Sequence, residues 1–182
     1  MFVLNKILGV AWLIALFGVA NMAPVIFCRI PILGAPVDFG RAFRGKRIFG
    51  DHKTWRGIIL AVIWGFAFFL LQKYLYNQAN FFRQISLFDF QAAPIYLGAL
   101  AGLGAIIGDL IKSFFKRRVG IAPGKPWLPF DQIDYIIGGL AAVSFVYFPN
   151  WYEVAMFLIL GFGFHTLFRV IGVTFKLCDK II

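Results

Sequence analysis

A chain of 182 residues that is 61% hydrophobic and only 14% charged, with a mean hydropathy of +0.83, is not composed like a soluble domain, in which about a quarter of residues are charged. Its two cysteines, Cys28 and Cys178, are too few for a disulfide framework, and no Cys/His cluster has zinc spacing, so both are read as free thiols. The composition predicts one all-α integral membrane domain over residues 1–182, and the net charge of +10 points to anionic headgroups or an anionic substrate.

A helix needs about 20 apolar residues to cross a bilayer core. Five segments qualify: Ile7–Cys28, Gly57–Tyr76, Ala92–Ile111, Ile133–Phe148 and Val154–Val173. The first is long enough to span and lacks a small-residue cleavage site, so it is expected to be a transmembrane helix rather than a signal peptide. The fourth is short and interrupted by Gly138-Gly139. Of the 18 Lys and Arg residues, all but Lys6, Lys73 and Arg83 fall in the loop after the first segment, in the stretch after the third, or near the end of the chain. Because cytoplasmic loops carry the basic excess, the N-terminus is expected outside, the C-terminus inside, and both charged loops in the cytoplasm, where together they form the site.

Near the cytoplasmic end of the first helix stand Asn21 and Pro24. A polar amide at that depth either packs at a kink or lines a substrate cleft. The loop that follows contains Arg41, Arg44-Gly45-Lys46-Arg47 and Gly50-Asp51-His52-Lys53-Thr54-Trp55-Arg56. Gly40-x-x-x-x-Gly45-Lys46 nearly spells a P-loop, but Arg47 replaces the metal-binding hydroxyl residue and no apolar strand precedes it. The loop reads either as a positive-inside segment on lipid headgroups or as glycine N–H groups and cations offered to a phosphate chain. His52 is read as a loop hydrogen bonder rather than a general base.

The third helix carries Gly98, Gly102, Gly104 and Gly108, a small-residue pattern that lets helices approach closely. If that helix runs on past the membrane edge, Asp109, Lys112, Ser113 and Lys116 share one face. Asp131 and Asp134 are three apart, so one helical turn would aim both the same way. These aspartates are either interfacial carboxylates paired with Lys116, Arg117 or Arg118, or ligands of a divalent cation beside lysines that hold phosphate oxygens. On the last helix, His165 and Arg169 are four apart and share a face.

The runs Gly108-Asp109, Ser113-x-x-Lys116-Arg117, Gly120, Gly124 and Pro129-x-Asp131-Gln132-x-Asp134 resemble the signature of the CTP-dependent lipid cytidylyltransferases. The likeness is greater to CDP-archaeol synthases than to bacterial CDP-diacylglycerol synthases, whose loop carries a Lys-Asp pair and a His-Gly-Gly run where this chain has Pro123, Gly124 and Pro129. The pattern from Gly45 to Gly57 resembles a second motif of the CDP-archaeol synthases, and Asn21-x-x-Pro24 their first helix. His165 matches a position of the archaeal members, whereas Arg169 stands where an Asn is expected.

The resemblance implies transfer of CMP from CTP to a membrane lipid phosphate, giving a CDP-lipid and pyrophosphate. It implies Mg²⁺ on Asp109, Asp131 and Asp134, with Lys116 joining them in catalysis. Asn21, Lys46, Arg47, Lys53, Thr54, Arg56, Lys112, Ser113, Arg117 and Gln132 would bind substrate. The partners expected are CTP, a lipid phosphate and the bilayer of the cell membrane, with no nucleic acid; oligomeric state stays open. Two rival readings are an anion transporter or channel with the basic loops as a funnel, and a catalytically silent scaffold for anionic lipid.

Overall fold

The structure, a computed structural model, describes residues 2–28, 31–122 and 125–174, and for residues 168, 169 and 171–174 the backbone alone. The readings placed on Arg29, Pro123, Gly124, Lys176, Cys178, Lys180 and the Arg169 side chain therefore lie outside the described residues. The chain forms helices α1 (Phe2–Ile26), α2 (Trp55–Gln78), α3 (Asn80–Ile85), α4 (Leu97–Arg118), α5 (Phe130–Val143) and α6 (Trp151–Thr174), with a hairpin of β1 (Ala42–Phe43) and β2 (Lys46–Arg47) between α1 and α2. The expectation of a helical bundle holds, with that short hairpin as an addition to it.

Among the described residues, α1, α2 and α4 are long and apolar enough to cross a membrane. The predicted third segment started at Ala92, but α4 begins at Leu97, because Pro94 disfavours helix at the residue before it. Its other end runs past Ile111 through Arg118, carrying the charged face out of the apolar stretch. The fourth segment becomes α5, shifted to Phe130–Val143. Its 14 residues extend about 21 Å, short of the roughly 30 Å apolar core of a bilayer. Gly138 and Gly139 do not break it, since they are where α5 meets Gly104 and Phe17. At the start of α6, Asn150 and Glu153 each accept the other's backbone N–H, a reciprocal cap.

The core joins Val10, Leu13 and Phe17 of α1 to Phe69 of α2, Leu97, Ala101 and Ala105 of α4, Ile136 of α5 and Phe157 of α6. The outward faces of the helices expose Ile63, Leu71, Ile107, Ile111, Ile137 and Ile159, the apolar surface a lipid environment covers.

Glycine brings α4 close to a neighbour on two of its faces. Gly98 and Gly102 lie against the backbone of α2 at Gly65 and Ala61, and Gly104 and Gly108 against α5 at Gly138 and Asp134. The small-residue pattern thus serves packing within the chain. Cys28 is disulfide-bonded, contrary to the expectation of a free thiol; separation along a sequence says nothing of separation in a fold.

Candidate active site

Between the C-terminal half of α4 and the first turn of α5, three carboxylates converge on one ammonium. Lys112 Nζ lies 2.9 Å from Asp109 Oδ1, 2.9 Å from Asp131 Oδ1 and 2.8 Å from Asp134 Oδ2. Lys53, from the loop before α2, donates to Asp109 Oδ2. Lys116 Nζ donates to both oxygens of Asp131, at 3.1 and 3.0 Å. Three carboxylates and three ammoniums thus offset one another in a largely buried lattice, with Asp109, Ser113, Lys116, Gln132 and Asp134 all less than a tenth exposed. Both helical spacings read from the sequence are realised here.

Backbone geometry positions the two acidic residues of α5. Trp127 N donates to Asp131 Oδ2 at 2.6 Å, and Tyr135 N donates to Asp134 Oδ1 at 2.7 Å. Gly108, one residue before Asp109, admits the Asp134 carbonyl against its Cα. Gln132 Oε1 is buried without a hydrogen-bond partner, an acceptor left over beside the lattice.

The first charged loop splits its candidates between the site and the scaffold. Lys53 reaches the carboxylates. Thr54 caps α2, its side-chain oxygen accepting Gly57 N–H at 3.3 Å. Arg56 opens α2 beside a small apolar cavity of about 130 Å³ lined by Ile32, Leu33, Ile59 and Leu60. Arg47, expected to meet substrate, binds Asp38 at 2.7 Å and Asp51 at 2.6 Å. Lys46 donates to the Arg118 carbonyl at 3.0 Å, at the C-terminal end of α4. Arg117 is half-buried at that same end. Asn21 is half-buried beside Ala20, which packs against Ala61 and against Ile106, one turn before Asp109.

Two residues outside the predicted set organise this loop. Asp38, whose side chain is fully buried, accepts the N–H groups of Gly40, Phe49 and Gly50 as well as the Arg47 guanidinium. Arg118 donates to the carbonyls of Phe43, Lys46 and Arg47. The near P-loop is a two-residue hairpin, with Arg44 and Gly45 both at positive φ (51° and 74°) and Ala42 opposite Arg47. An Xaa-Gly pair between two short extended pieces was the signal for it.

The cations assigned to the opposite side stand at the far end of the bundle. Lys6 pairs with Glu153. Lys73 donates to the carbonyls of Gln91 and Ala93 at 3.0 and 2.7 Å, and Arg83 to those of Tyr76 and Asn77 at 2.8 and 2.7 Å. Near the site end, Tyr135 O–H donates to Gly161 O at 3.1 Å and its ring centroid lies 6.2 Å from that of the half-buried His165.

As the side chains stand, no three carboxylate, imidazole or thiol groups among the described residues are set to hold a metal ion. The donor chemistry nevertheless fits one: hard oxygens from three aspartates already close around a single positive charge, that of the Lys112 ammonium.

An apolar helical bundle with a buried, self-neutralised ion lattice at one end is the architecture of an intramembrane protein with a polar site. The profile of a family described as CarS-like, CDP-archaeol synthase, matches residues 3–181, and the chain belongs to that family. A CDP-archaeol synthase of Pyrococcus furiosus is 35% identical over 158 residues, covering 86% of this chain and 87% of that protein. The counterpart in Methanocaldococcus jannaschii is 34% identical over 163 residues, covering 88% and 89%. One in Methanocorpusculum labreanum is 41% identical over 114 residues, 61% of this chain and 60% of that protein. A solved structure of an intramembrane enzyme for archaeal membrane lipid biosynthesis superposes with a TM-score of 0.73 at 26% identity, covering 90% of this chain and 94% of that one.

Proposed function

We infer that the protein is a cytidylyltransferase that joins CTP to an archaeal-type lipid phosphate, giving a CDP-lipid of the CDP-archaeol type and pyrophosphate. Family membership supports this, and the observation in the site that carries it is the Lys112 ammonium bridging three carboxylates. A ligand that brings both phosphate oxygens and a divalent cation matches such a lattice partner for partner. The lysines would hold its phosphates, and Asp109, Asp131 and Asp134 would hold its cation.

The lipid phosphate is already an anionic nucleophile, so no strong base is needed. One of its oxygens attacks the α-phosphorus of CTP, a new P–O bond forms, and the bond to the β-phosphate oxygen breaks to release pyrophosphate. The barrier lies in bringing two anions together and in the charge that gathers on the leaving group. Lys53, Lys112 and Lys116 supply positive charge with short travel, and Gln132 offers its unpartnered carbonyl oxygen to a ligand N–H or hydroxyl. Asp109, Asp131 and Asp134 would hold Mg²⁺, which supplies charge neutralisation on the triphosphate.

The finer topology belongs to the same reading: a multi-pass protein of the cell membrane with five crossings, N-terminus outside, C-terminus cytoplasmic, and the site facing the cytoplasm. The distribution of basic residues supports that orientation, and α5 crosses only in company with the loops at its ends. Neither the family nor the self-neutralised lattice favours an anion transporter.

The decisive experiment is pyrophosphate release by the purified protein with CTP and Mg²⁺, comparing an unsaturated isoprenoid diether phosphate with a diacyl phosphatidic acid. Release with the diether lipid is expected; silence with both lipids would sink the reading.

A further inference from the structure

We propose that Arg118 is a positioning residue for this site, acting on it through Lys53. The proposal rests on the cytidylyltransferase reading for its kinetic arm and on the geometry alone for its structural arm.

The observation is a closed circuit of contacts. Arg118, at the end of α4, sends its planar donor fork to the carbonyls of Phe43, Lys46 and Arg47. Lys46 returns a hydrogen bond to the Arg118 carbonyl at 3.0 Å. The Arg118 guanidinium also lies 5.5 Å from the Phe43 ring centroid and 4.8 Å from that of Phe114. The hairpin is therefore fastened to α4 by its backbone, independently of what its outward side chains do.

From the hairpin the circuit continues inward. Arg47 reaches Asp38 and Asp51, and Asp38 binds the N–H groups of Phe49 and Gly50. The Gly50 carbonyl accepts Lys53 N–H at 3.2 Å, and Lys53 closes on Asp109, back on α4. Arg118 and Asp109 are thus joined twice, once along the helix and once through the loop. Lys53 is a long, rotamer-rich side chain reaching into a largely buried lattice. Its base is held on one side by Val37, whose N–H donates to the Lys53 carbonyl at 2.7 Å, and on the other by this circuit through Gly50. Cutting the circuit at Arg118 loosens the Gly50 side, and the ammonium spends more time out of the lattice.

Two measurements test this. First, acylation of Lys53 by an amine-reactive reagent, read by mass spectrometry on the full-length protein in detergent, needs no substrate. Labelling of Lys53 is expected to rise several-fold in Arg118→Gln and to return towards the original level in Arg118→Lys. Unchanged labelling in Arg118→Gln overturns the proposal. Second, a double-mutant cycle reads kinetics. Arg118→Gln and Lys53→Met should each lower kcat/KM for CTP by about tenfold and combine with little further effect, as coupled groups do. Multiplicative effects in the double variant would overturn it, since Arg118 would then act by another route. Where Arg118→Gln does not fold, Asp38→Asn interrupts the same circuit and is held to the same outcomes. Failure of the unaltered protein to use CTP would strike the functional reading, while the labelling arm still decides this one.

Discussion

Gly108 of α4 packs so closely on the carbonyl oxygen of Asp134 that a Cβ has no room between them. The contact sets how near α5 stands to α4, and hence whether Asp134 and Asp109 reach the same ammonium. Gly108→Ala is expected to cost about 1–3 kcal/mol by overpacking. Turnover should fall by about tenfold or more, since a displacement of roughly an ångström at a site is that costly. Thermal unfolding and initial rates on the same preparation check both.

Removing the central ammonium leaves three carboxylates facing one another. Lys112→Met is expected to destabilise the protein by about 3–5 kcal/mol, the scale for an uncompensated buried charge. Added Mg²⁺ should recover part of the lost melting temperature in this variant and much less in the unaltered chain. Equal Mg²⁺ responses in the two proteins would argue against a cation site among Asp109, Asp131 and Asp134.

Asp134→Asn keeps the shape and removes one charge from the lattice. Turnover is expected to drop by about 10²-fold or more, as for loss of a single charge-stabilising group, with secondary structure by circular dichroism unchanged. Near-normal turnover at saturating Mg²⁺ would count against a catalytic role.

The loop over the site carries its own acid sensitivity. Burial pushes the Asp38 carboxyl up, but the Arg47 guanidinium and the N–H groups of Phe49, Gly50 and Gly40 override it and hold the group well below the usual carboxylate range. A depressed folded-state value means the stabilisation is complete above the unfolded value, about 3.9, and is lost as pH falls below it. Hydrogen-exchange protection of residues 38–51, taken relative to the intrinsic rate at each pH, should therefore be flat from neutral pH down to about 4 and should then fall on further acidification. In Asp38→Asn protection is already low at neutral pH, and that acid step is gone.

The lattice was half legible in the sequence. Helical periodicity put Asp109, Lys112, Ser113 and Lys116 on one face and Asp131 with Asp134 on one turn, because spacing within a helix is fixed. Periodicity does not say what a face meets, so Lys112 as the common partner of three aspartates could not be told from Lys116 or Arg117. The first loop was harder still. Its cations were read as anion ligands, yet Arg47 binds Asp38 and Asp51, and Lys46 caps α4. Asp38 acts on backbone N–H groups of its own loop and Arg118 on carbonyls far off in sequence, and neither charge nor spacing announces either. Cys28 was misread for a similar reason, since it carries a disulfide rather than a free thiol. The start of α4 was misjudged by overlooking the local rule at Pro94.

The glycines of α4 lock that helix against rotation, with α2 on one flank and α5 on the other. A helix turns by about 100° for every residue, so one residue inserted between Gly108 and Asp109 would swing the carboxylate a quarter-turn or more off its partners while both flanking contacts held. Insertions should thus be tolerated better between Gly120 and Ala122, where the backbone has already left the helix, than in the six positions from Gly104 to Asp109. The reading frame of this one helix is what a designer altering lipid or nucleotide preference must leave untouched.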